Sequence, residues 1–384
     1  MPVSGHDPRY GPWEHVAFAA NALPAETPLL QVATFNAVAS ARAALASLAS
    51  SARQLPNPSY LRRPTLRREA QSTSALEGTY APLQAVLAAD EADDPSDANL
   101  REVLNYVRTA EHAFAWHRDG RPLTLNLLTE LHGSLVRGTA ADTDEAGRIR
   151  SIQVVIGGHR GGRIQDARFV PHPPGDELER QVRDWLSWIT DQAAARRIDP
   201  VVAAGMAHYQ LEALHPFNDG NGRIGRLAIV LHLLYANVLT EPTLTVSPWF
   251  EARRADYYDA LMAVSTHGDW DRWIRFFARG LEASASETEQ LLTDLLSMQS
   301  SLKAKIRKAG FRADSAMLLV DFALEQPIFT IRQAERRLGV TYARAHRLVN
   351  QMVEIEVLRQ VNDSSYDREF AATDFLAILL RGGH

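Results

Sequence analysis

The sequence predicts a mainly α-helical protein with one small β-hairpin. Apolar residues recur at spacings of three and four along most of the chain, which is the pattern of amphipathic helices, whereas strand-like runs are few. With 384 residues the chain has the length of two or three domains and can bury a substantial core. Seven segments show the helical spacing: 30–48, 101–117, 123–136, 178–195, 200–214, 222–236 and 252–264.

Composition and charge exclude several classes of protein. Apolar residues make up 46% and charged residues 23%, as in ordinary globular proteins, and the net charge of -5 is unlike that of a dedicated nucleic-acid binder. The chain has no cysteine, which excludes disulfides, zinc–cysteine sites and thiol nucleophiles. The N-terminus lacks the apolar core of a signal peptide, and the longest apolar run, 227–239, is too short to cross a bilayer. We therefore expect a cytoplasmic protein without a membrane partner.

Prolines and glycines divide the helical pattern. The three prolines after the first helical segment predict a connection there: Pro56, Pro58 and Pro64. Further along, residues 151–156 form the clearest β-like run of the chain. The run is followed by glycines at 157, 158, 161 and 162, so we expect a short hairpin or flap.

The last third of the chain predicts a separate module. A polar helix at 282–308 leads to a helix from residue 313, a helix at 330–338, a turn, a helix at 342–352 and a hairpin at 357–370. This order predicts a winged helix-turn-helix. Residues 312–384 contain nine arginines and ten acidic residues, and the recognition helix offers only Arg344, His346 and Arg347. Contact with a protein, including a second copy in a homodimer, is therefore favoured over DNA binding.

The segment 215–226, HPFNDGNGRIGR, has the residue types of a phosphate-binding loop at the start of a helix. Gly220 and Gly222 permit conformations that point backbone N–H groups at an anion. Asn221 can donate to a phosphate oxygen or hold the loop. Arg223 and Arg226 lie three residues apart on one helix face, where two guanidinium groups suit the β- and γ-phosphates of a nucleotide.

Two further residues of this segment suit catalysis. His215 can accept the proton of an attacking hydroxyl group. Asp219 offers a hard oxygen ligand to Mg²⁺, which usually takes one or two carboxylates together with phosphate oxygens. Phe217 is expected to anchor the loop in the core.

Residues 215–226 resemble the signature of the Fic family, H-x-F-x-[D/E]-G-N-G-R-x-x-R, with every fixed position filled. The family mostly transfers AMP from ATP to protein hydroxyl groups, and the likeness extends over residues 10–280. It implies a Fic helical fold with a hairpin flap, followed by the winged helix. It also implies that His215 is the general base and Asp219 the Mg²⁺ ligand. The implied ATP-binding residues are Asn218, Gly220, Asn221, Gly222, Arg223 and Arg226.

A second motif lies upstream. Thr73 and Glu77 are four residues apart on one helical face, and Gly78 is a natural helix C-cap. They resemble the family's inhibitory motif, [S/T]-x-x-x-E-[G/N]. The resemblance implies that Glu77 pairs with Arg226 and occupies the space that the γ-phosphate needs.

The resemblance also assigns residues to the target and to the base. The flap residues Gln153, Val154, Val155 and Ile156 would bind the target segment as an added strand. Either Tyr257 or Tyr258 would contact the adenine side.

These observations predict four regions and one favoured function. The regions are an N-terminal helical part with the inhibitory helix (1–110), a catalytic domain (111–285), a helical linker (286–310) and the winged helix (311–384). The favoured function is a protein adenylyltransferase that uses ATP and Mg²⁺, modifies Ser, Thr or Tyr of proteins including itself, and is inhibited by Glu77. The alternatives are a hydrolase that removes AMP, an enzyme of the same fold with another phosphate donor, and a DNA-binding regulator whose Fic domain senses nucleotide.

Overall fold

The structure is a computed structural model. It describes residues 1–7, 10–53, 59–90, 94–157, 163–195, 197–311, 314–363 and 368–381. Within these ranges helices dominate, and the strands are short. The helices are α1 (Val32–Arg53), α2 (Ser59–Leu76), α3 (Leu83–Ala88), α4 (Ala98–Arg118), α5 (Leu125–Val136), α6 (Asp176–Ala195), α7 (Pro200–Leu214), α8 (Asn221–Tyr235), α9 (Ser247–Glu251), α10 (Arg254–His267), α11 (Trp270–Lys308), α12 (Asp314–Glu325), α13 (Ile331–Leu338), α14 (Tyr342–Glu354) and α15 (Thr373–Leu380). The strands are β1 (Pro2–Asp7), β2 (Gly11–Val16), β3 (Ile328–Thr330), β4 (Arg359–Gln360) and β5 (Glu369–Ala371).

Helix α7 is the centre of the core. Nearly all of its residues are buried, because α6, α8 and α11 pack around it. Gly205 allows the close approach of α11, since a Cβ atom there would lie 3.0 Å from side-chain atoms of Ile274 and Phe277. The indole of Trp273 donates to the carbonyl of Gly205 at 2.8 Å. These contacts hold the first half of α7 against α11.

The helical periodicity located the seven predicted helices correctly, with ends shifted by a few residues. Pro64 was expected in a connection, but it lies inside α2. It is the sixth residue of that helix, beyond the first turn, so it removes one backbone hydrogen bond of the helix. Pro56, Pro58, Gly158, Gly161 and Gly162 lie outside the described residues.

Two β features differ from expectation. The N-terminal residues form an antiparallel hairpin, β1 with β2, which the sequence analysis did not predict. Gly5 makes room in it for the ring of Trp13, which a Cβ atom would overlap. In the described part of the expected flap, residues 151–157 and 163–169, pairing takes the form of one isolated antiparallel bridge, between Ile156 and Phe169.

The C-terminal part contains the predicted helices and a three-stranded sheet in the order β3-β5-β4. We call residues 314–363 and 368–381 the C-terminal module. The side chain of Asn362 accepts from the N–H of Glu369 at 3.0 Å and so closes the strand connection. Helices α4 and α11 run unbroken through the predicted boundaries at 110 and 285. The expected linker is thus the second half of a 39-residue helix.

Helix α1 is long and apolar enough to cross a membrane by length and composition alone. Its small residues Ala37, Ala41 and Ala52 are buried, and the helix packs along α11. A buried core helix passes the same test, so this is weak evidence for a membrane span.

Candidate active site

His215 ends helix α7 in the left-handed conformation, with φ 49° and ψ 60°. This conformation is uncommon for a residue with a side chain and persists only where the surroundings fix it. The N–H of His215 donates to the carbonyl of Leu211 at 2.8 Å, and its own carbonyl accepts from Nε of Arg150 at 2.7 Å. The turn reverses the chain and presents the imidazole to the cavity described below.

Arg150 is the buried cation that organises this turn. Only 1% of its surface is exposed, and its guanidinium group donates to four carbonyls, those of His215, Ile152, His172 and Leu214. Two of these carbonyls end α7, where the helix dipole favours a positive charge. Burial lowers the pKa of Arg150 to about 10, so it is charged at neutral pH. Arg150 ties the turn at His215 to the flap residue Ile152.

Replacing Arg150 by lysine should therefore destabilise the protein. Lysine keeps the charge but cannot donate to four carbonyls from one planar group. Hydrogen bonds from charged donors are worth about 1.5–3 kcal/mol each, so we expect the free energy of unfolding to fall by roughly 2–4 kcal/mol. Urea unfolding would measure this fall. Arg148→Lys, at an exposed position two residues away, is the matched control and should change the free energy by less than about 0.5 kcal/mol.

The loop after His215 is held by side chains that point inward. Phe217 is fully buried and stacks on His132 with ring centroids 4.0 Å apart. Both polar atoms of the Asn221 side chain bind the backbone of Phe217, each at 2.8 Å. Asn221 thus holds the loop, which is the second of the two roles expected for it. His132 contacts the carbonyl of Asp219 at 3.1 Å and accepts from the N–H of Gly147 at 2.9 Å.

The two glycines of the loop serve different purposes. Gly220 has a φ of 74° and is the N-cap of α8, so it needs the left-handed conformation that glycine adopts freely. Gly222 lies inside α8 and has no positive φ. Glycine is needed there because a side chain would not fit: a Cβ atom would overlap Oε1 of Glu77 and lie 2.9 Å from Arg226. The first N–H groups of α8 have no intrahelical partner, which makes this end an anion-binding position.

Asp219 and Arg223 pair with each other in this structure. Nη2 of Arg223 donates to Oδ1 of Asp219 at 2.9 Å, and Nη1 donates to Glu102 at 2.5 Å. Arg223 is 2% exposed, whereas the Asp219 and Asn218 side chains are exposed. The described residues contain no group of three or more His, Asp or Glu that could hold a metal by itself.

Arg226 is bound to the upstream motif. Its Nε donates to the Thr73 hydroxyl at 2.7 Å, and its Nη2 donates to the Thr73 carbonyl at 3.0 Å and to Glu77 at 2.6 Å. Arg226 is 1% exposed, so this ion pair is shielded from water on the arginine side. Gly78 has a φ of 94° and follows the end of α2. The structure thus brings the two motifs, which lie about 140 residues apart in sequence, into direct contact.

A cavity of about 410 Å³ opens over these residues. Glu77, His215, Gly222 and Arg226 line one part, and Ile156 of the flap forms another wall. The other described residues that line it are Gly157, Arg168, Phe169, Tyr209, Glu212, Ala213, Arg254, Tyr258, Leu261, Met262 and Ser265. The cavity combines a polar region beside His215 with a largely apolar region between α7 and α10, an arrangement typical of a small-molecule site.

The two adjacent tyrosines take different positions. Tyr258 lines the cavity, whereas Tyr257 is fully buried and its hydroxyl contacts Nε2 of His208 at 2.7 Å. Tyr257 also stacks on Phe250 with ring centroids 5.1 Å apart. Of the two residues expected at the adenine side, Tyr257 is therefore part of the core.

The flap residues are only partly in the cavity wall. Ile156 bonds to Phe169 in both directions, at 2.8 and 3.0 Å, and lines the cavity. The Gln153 side chain donates to the carbonyls of Val154 and Pro171, each at 3.0 Å. Val155 is 43% exposed. Of the described residues, 153–155 are not among those that line the cavity, and the Val155 side chain is open to solvent.

The electrostatics of the site favour a neutral histidine and an ionised glutamate. Burial lowers the pKa of His215 to about 4, and the positive charge of Arg150 acts in the same direction. His215 is therefore an unprotonated base at neutral pH. Burial opposes ionisation of Glu77, but the charge and hydrogen bond of Arg226 outweigh it and hold the pKa of Glu77 below its usual value. Burial also raises the pKa of Glu212 to about 7.

Sequence reasoning missed the residues that support the loop from outside the motif. Arg150, His132, Glu102 and Glu212 lie far from residues 215–226 in sequence or outside the fixed motif positions, and each contacts the loop or lines the cavity. A single arginine or histidine in an ordinary helical pattern carries no signal of such a role. Only the fold places them around His215.

Two models of one family match the chain. The Fic/DOC family N-terminal model matches residues 35–115, and the Fic/DOC family model matches residues 122–233. Together they account for half of the chain, and the second contains the whole loop from His215 to Arg226. The chain belongs to the Fic family.

Curated relatives of this Fic protein carry the name protein adenylyltransferase. One from Caenorhabditis elegans is 35% identical over 162 residues, which is 42% of this chain and 28% of the relative. One from Aedes aegypti is 35% identical over 156 residues, 41% of this chain and 27% of the relative. One from Nematostella vectensis is 32% identical over 183 residues, 48% of this chain and 37% of the relative. The aligned part thus spans a third or so of each relative's length.

Solved structures show the same fold. A Fic family protein from Desulfovibrio desulfuricans is 22% identical, has a TM-score of 0.56, and aligns with 91% of this chain and 98% of its own. A Fic domain containing signaling protein from Bacteroides thetaiotaomicron is 18% identical, with a TM-score of 0.51 and coverage of 67% and 97%. These likenesses establish the Fic fold for this chain.

Proposed function

We propose that this Fic protein transfers AMP from ATP to Ser, Thr or Tyr hydroxyl groups of proteins, including its own, and that Glu77 restrains the reaction. The observation that carries the proposal is the arrangement in one cavity of a neutral imidazole, a helix N-terminus and a buried arginine. The names of the curated relatives point to the same activity.

The proposed reaction is a direct transfer of AMP to the target hydroxyl group. The hydroxyl oxygen of the target attacks the α-phosphorus of ATP, and the unprotonated His215 accepts the hydroxyl proton. The bond between the α-phosphorus and the oxygen that bridges to the β-phosphate breaks, so pyrophosphate leaves. Arg226 and the N-terminus of α8 bind the phosphate charge throughout. Residues 153–156 align the target segment beside His215.

Magnesium fits this site as a companion of ATP. Asp219 has an exposed carboxylate close to the N-terminus of α8, which suits a cation that binds one protein carboxylate and several phosphate oxygens. The cation would neutralise charge on the pyrophosphate that leaves. Its binding would compete with Arg223 for the Asp219 carboxylate, since Nη2 of Arg223 donates to Oδ1 of Asp219.

Intact-mass measurement tests the proposed transfer. Glu77→Gly protein would be incubated with ATP, Mg²⁺ and a cell lysate, with the double variant Glu77→Gly/His215→Ala in parallel. An increase by one AMP on any protein, absent with the double variant, supports the proposal. An increase by one phosphate that is absent with the double variant would instead show a kinase, and no such increase on any protein would refute transfer from ATP.

Removal of AMP by hydrolysis is the second candidate function. Its support is that the Glu77 carboxylate lines the same cavity as His215, where it can align a water molecule. The two activities respond to Glu77 in opposite directions. If hydrolysis is the main activity, Glu77→Gly will lose the ability to release AMP from a modified protein, whereas the wild-type protein will retain it.

The rate of transfer should depend weakly on pH above about 5. The pKa of His215 is lowered to about 4, so the base is unprotonated from pH 6 to 8 and becomes protonated only as the pH falls through that value. The kcat/KM profile reports the free enzyme and should therefore lose activity only near pH 4. A loss of activity near pH 6.5, the ordinary pKa of histidine, would contradict the prediction, because it would mean that burial does not lower the pKa of His215.

A further inference from the structure

The C-terminal module packs directly on the helix that carries the inhibitory residues. Helix α12 lies against α2, and β3 lies against α3. Glu325, at the end of α12, accepts from Arg63 of α2 at 3.3 Å and from Arg337 of α13 at 3.0 Å. The Glu325 side chain is 11% exposed, whereas Arg63 and Arg337 are 22% and 44% exposed, so only the carboxylate side of this bridge between α2 and the module is largely shielded from water.

A second connection runs through the end of α3. Arg67 of α2 is fully buried and donates to the carbonyls of Leu87 and Ala89, each at 2.7 Å. Gln326 of the module donates to the Leu87 carbonyl at 3.0 Å and also contacts the carbonyl of Ala89 at 3.4 Å. The last carbonyls of a helix lack intrahelical partners, and here α2 and the module satisfy them together. A displacement of the module therefore removes a donor from the same α3 carbonyls that bind Arg67 of α2.

The same helix ends at the active site. Arg67 lies ten positions before Glu77, which corresponds to about 15 Å along a helix. Beyond Arg67, Glu69 accepts from the N–H of Ser247 at 2.9 Å, and Thr73 and Glu77 bind Arg226. Since a helix transmits an axial or rolling displacement over such a length, the position of Glu77 depends on contacts at both ends of α2.

We propose that the C-terminal module is the regulatory element of this enzyme. The contacts of Glu325 with α2 and of Gln326 with α3, which we call the grip, hold Glu77 on Arg226. The proposal rests on the proposed function, because it assigns a regulator to the same site. A change in the module that loosens Glu325 and Gln326 releases α2, frees Arg226 for the γ-phosphate and raises AMP transfer. The fold thereby places the control of the site at a surface remote from ATP and target.

The test weakens the grip without touching the site. Glu325→Gln removes the charge between the two arginines, and Gln326→Leu removes the donor to the α3 carbonyls; they are made singly and together in the full chain. The matched control is Arg381→Gln, which breaks the contact of α15 with Asp294 of α11 at 3.3 Å and leaves α2 alone. Thermal unfolding shows which variants remain folded. If the double variant does not fold, the two single variants are used for the measurements.

Two readouts decide the matter. In the Glu77-intact chain, the grip variants should raise AMP transfer by about fivefold or more, the lower end of usual coupling between sites. In the Glu77→Gly chain they should change nothing, because no restraint is left to release. Amide hydrogen exchange of residues 71–77 should become faster in the grip variants and stay unchanged in Arg381→Gln.

The outcomes separate this proposal from the proposed function. Unchanged hydrogen exchange and unchanged transfer in folded grip variants would overturn the regulatory role of the module. Equal acceleration with and without Glu77 would overturn it as well, since the effect would not pass through the inhibitory residue. If Glu77→Gly shows no transfer from ATP, the proposed function fails, and hydrogen exchange of residues 71–77 still decides whether the module holds α2.

Discussion

His215→Ala should lower the rate of AMP transfer by about 10²–10⁴-fold, the usual contribution of a general base. The imidazole lines the cavity next to Gly222 and Arg226, and its lowered pKa leaves it free to accept a proton at neutral pH. The rate would be measured in the Glu77→Gly background, where inhibition does not mask the loss. Radiolabelled or mass-shifted target would report the product.

The control separates loss of the base from loss of the fold. His267→Ala replaces an exposed histidine at the end of α10 and should leave the rate unchanged. ATP binding to His215→Ala should also persist, because Arg226 and the N-terminus of α8 remain in place. A variant that keeps its ATP affinity and more than about a tenth of the transfer rate would exclude His215 as the base.

The parts of the fold that follow a periodic pattern were predictable. Helices such as α7 and α8 are bounded by strong local signals, Pro200 at the first position of one and Gly220 before the other. Helix α2 was harder, because Pro64 reads as a break although the surrounding contacts keep the helix intact. The N-terminal hairpin has alternation too weak to detect, and its pairing depends on contacts such as the ring of Trp13 over Gly5.

The site shows the same division between local and long-range information. The loop from His215 to Arg226 follows from its spacing, because every fixed residue lies within twelve positions. The need for glycine at position 222 does not follow from local spacing, because it arises from the carboxylate of Glu77, which lies just after the end of α2. Arg150 is more remote still. Its role is to satisfy carbonyls that become unpaired only once α7 ends in a left-handed residue.

A long-range contact also gives Arg226 an interaction that its position in the motif does not predict. Its position in the motif predicts a phosphate ligand, and the structure shows its Nε and Nη2 engaged by Thr73 and Glu77. A γ-phosphate that binds Arg226 must displace a charged hydrogen bond in a buried place. On the proposed function, catalysis and inhibition share the Arg226 side chain, and the proposed regulatory role of the C-terminal module sets the balance between them through α2.

Glu77→Gly should raise AMP transfer by about 10- to 100-fold. The substitution removes a charged hydrogen bond to Arg226, worth about 1.5–3 kcal/mol, which the γ-phosphate otherwise has to displace. It also clears the space beside Gly222, where the Glu77 carboxylate lies in contact with the helix. Initial rates of target modification at saturating ATP would measure the change. Glu26→Gly, at an exposed loop position, is the matched control and should have no effect.

A further substitution distinguishes charge from volume as the basis of this restraint. Glu77→Gln keeps the size of the side chain and a hydrogen-bond acceptor but removes the charge that pairs with Arg226. If the ion pair is the main restraint, Glu77→Gln will approach the rate of Glu77→Gly, and ATP affinity will rise in both. If occupation of the space beside Gly222 is the main restraint, Glu77→Gln will stay near the wild-type rate. Equal rates in wild type, Glu77→Gln and Glu77→Gly would remove Glu77 as an inhibitor altogether, because then neither its charge nor its volume opposes the γ-phosphate at Arg226.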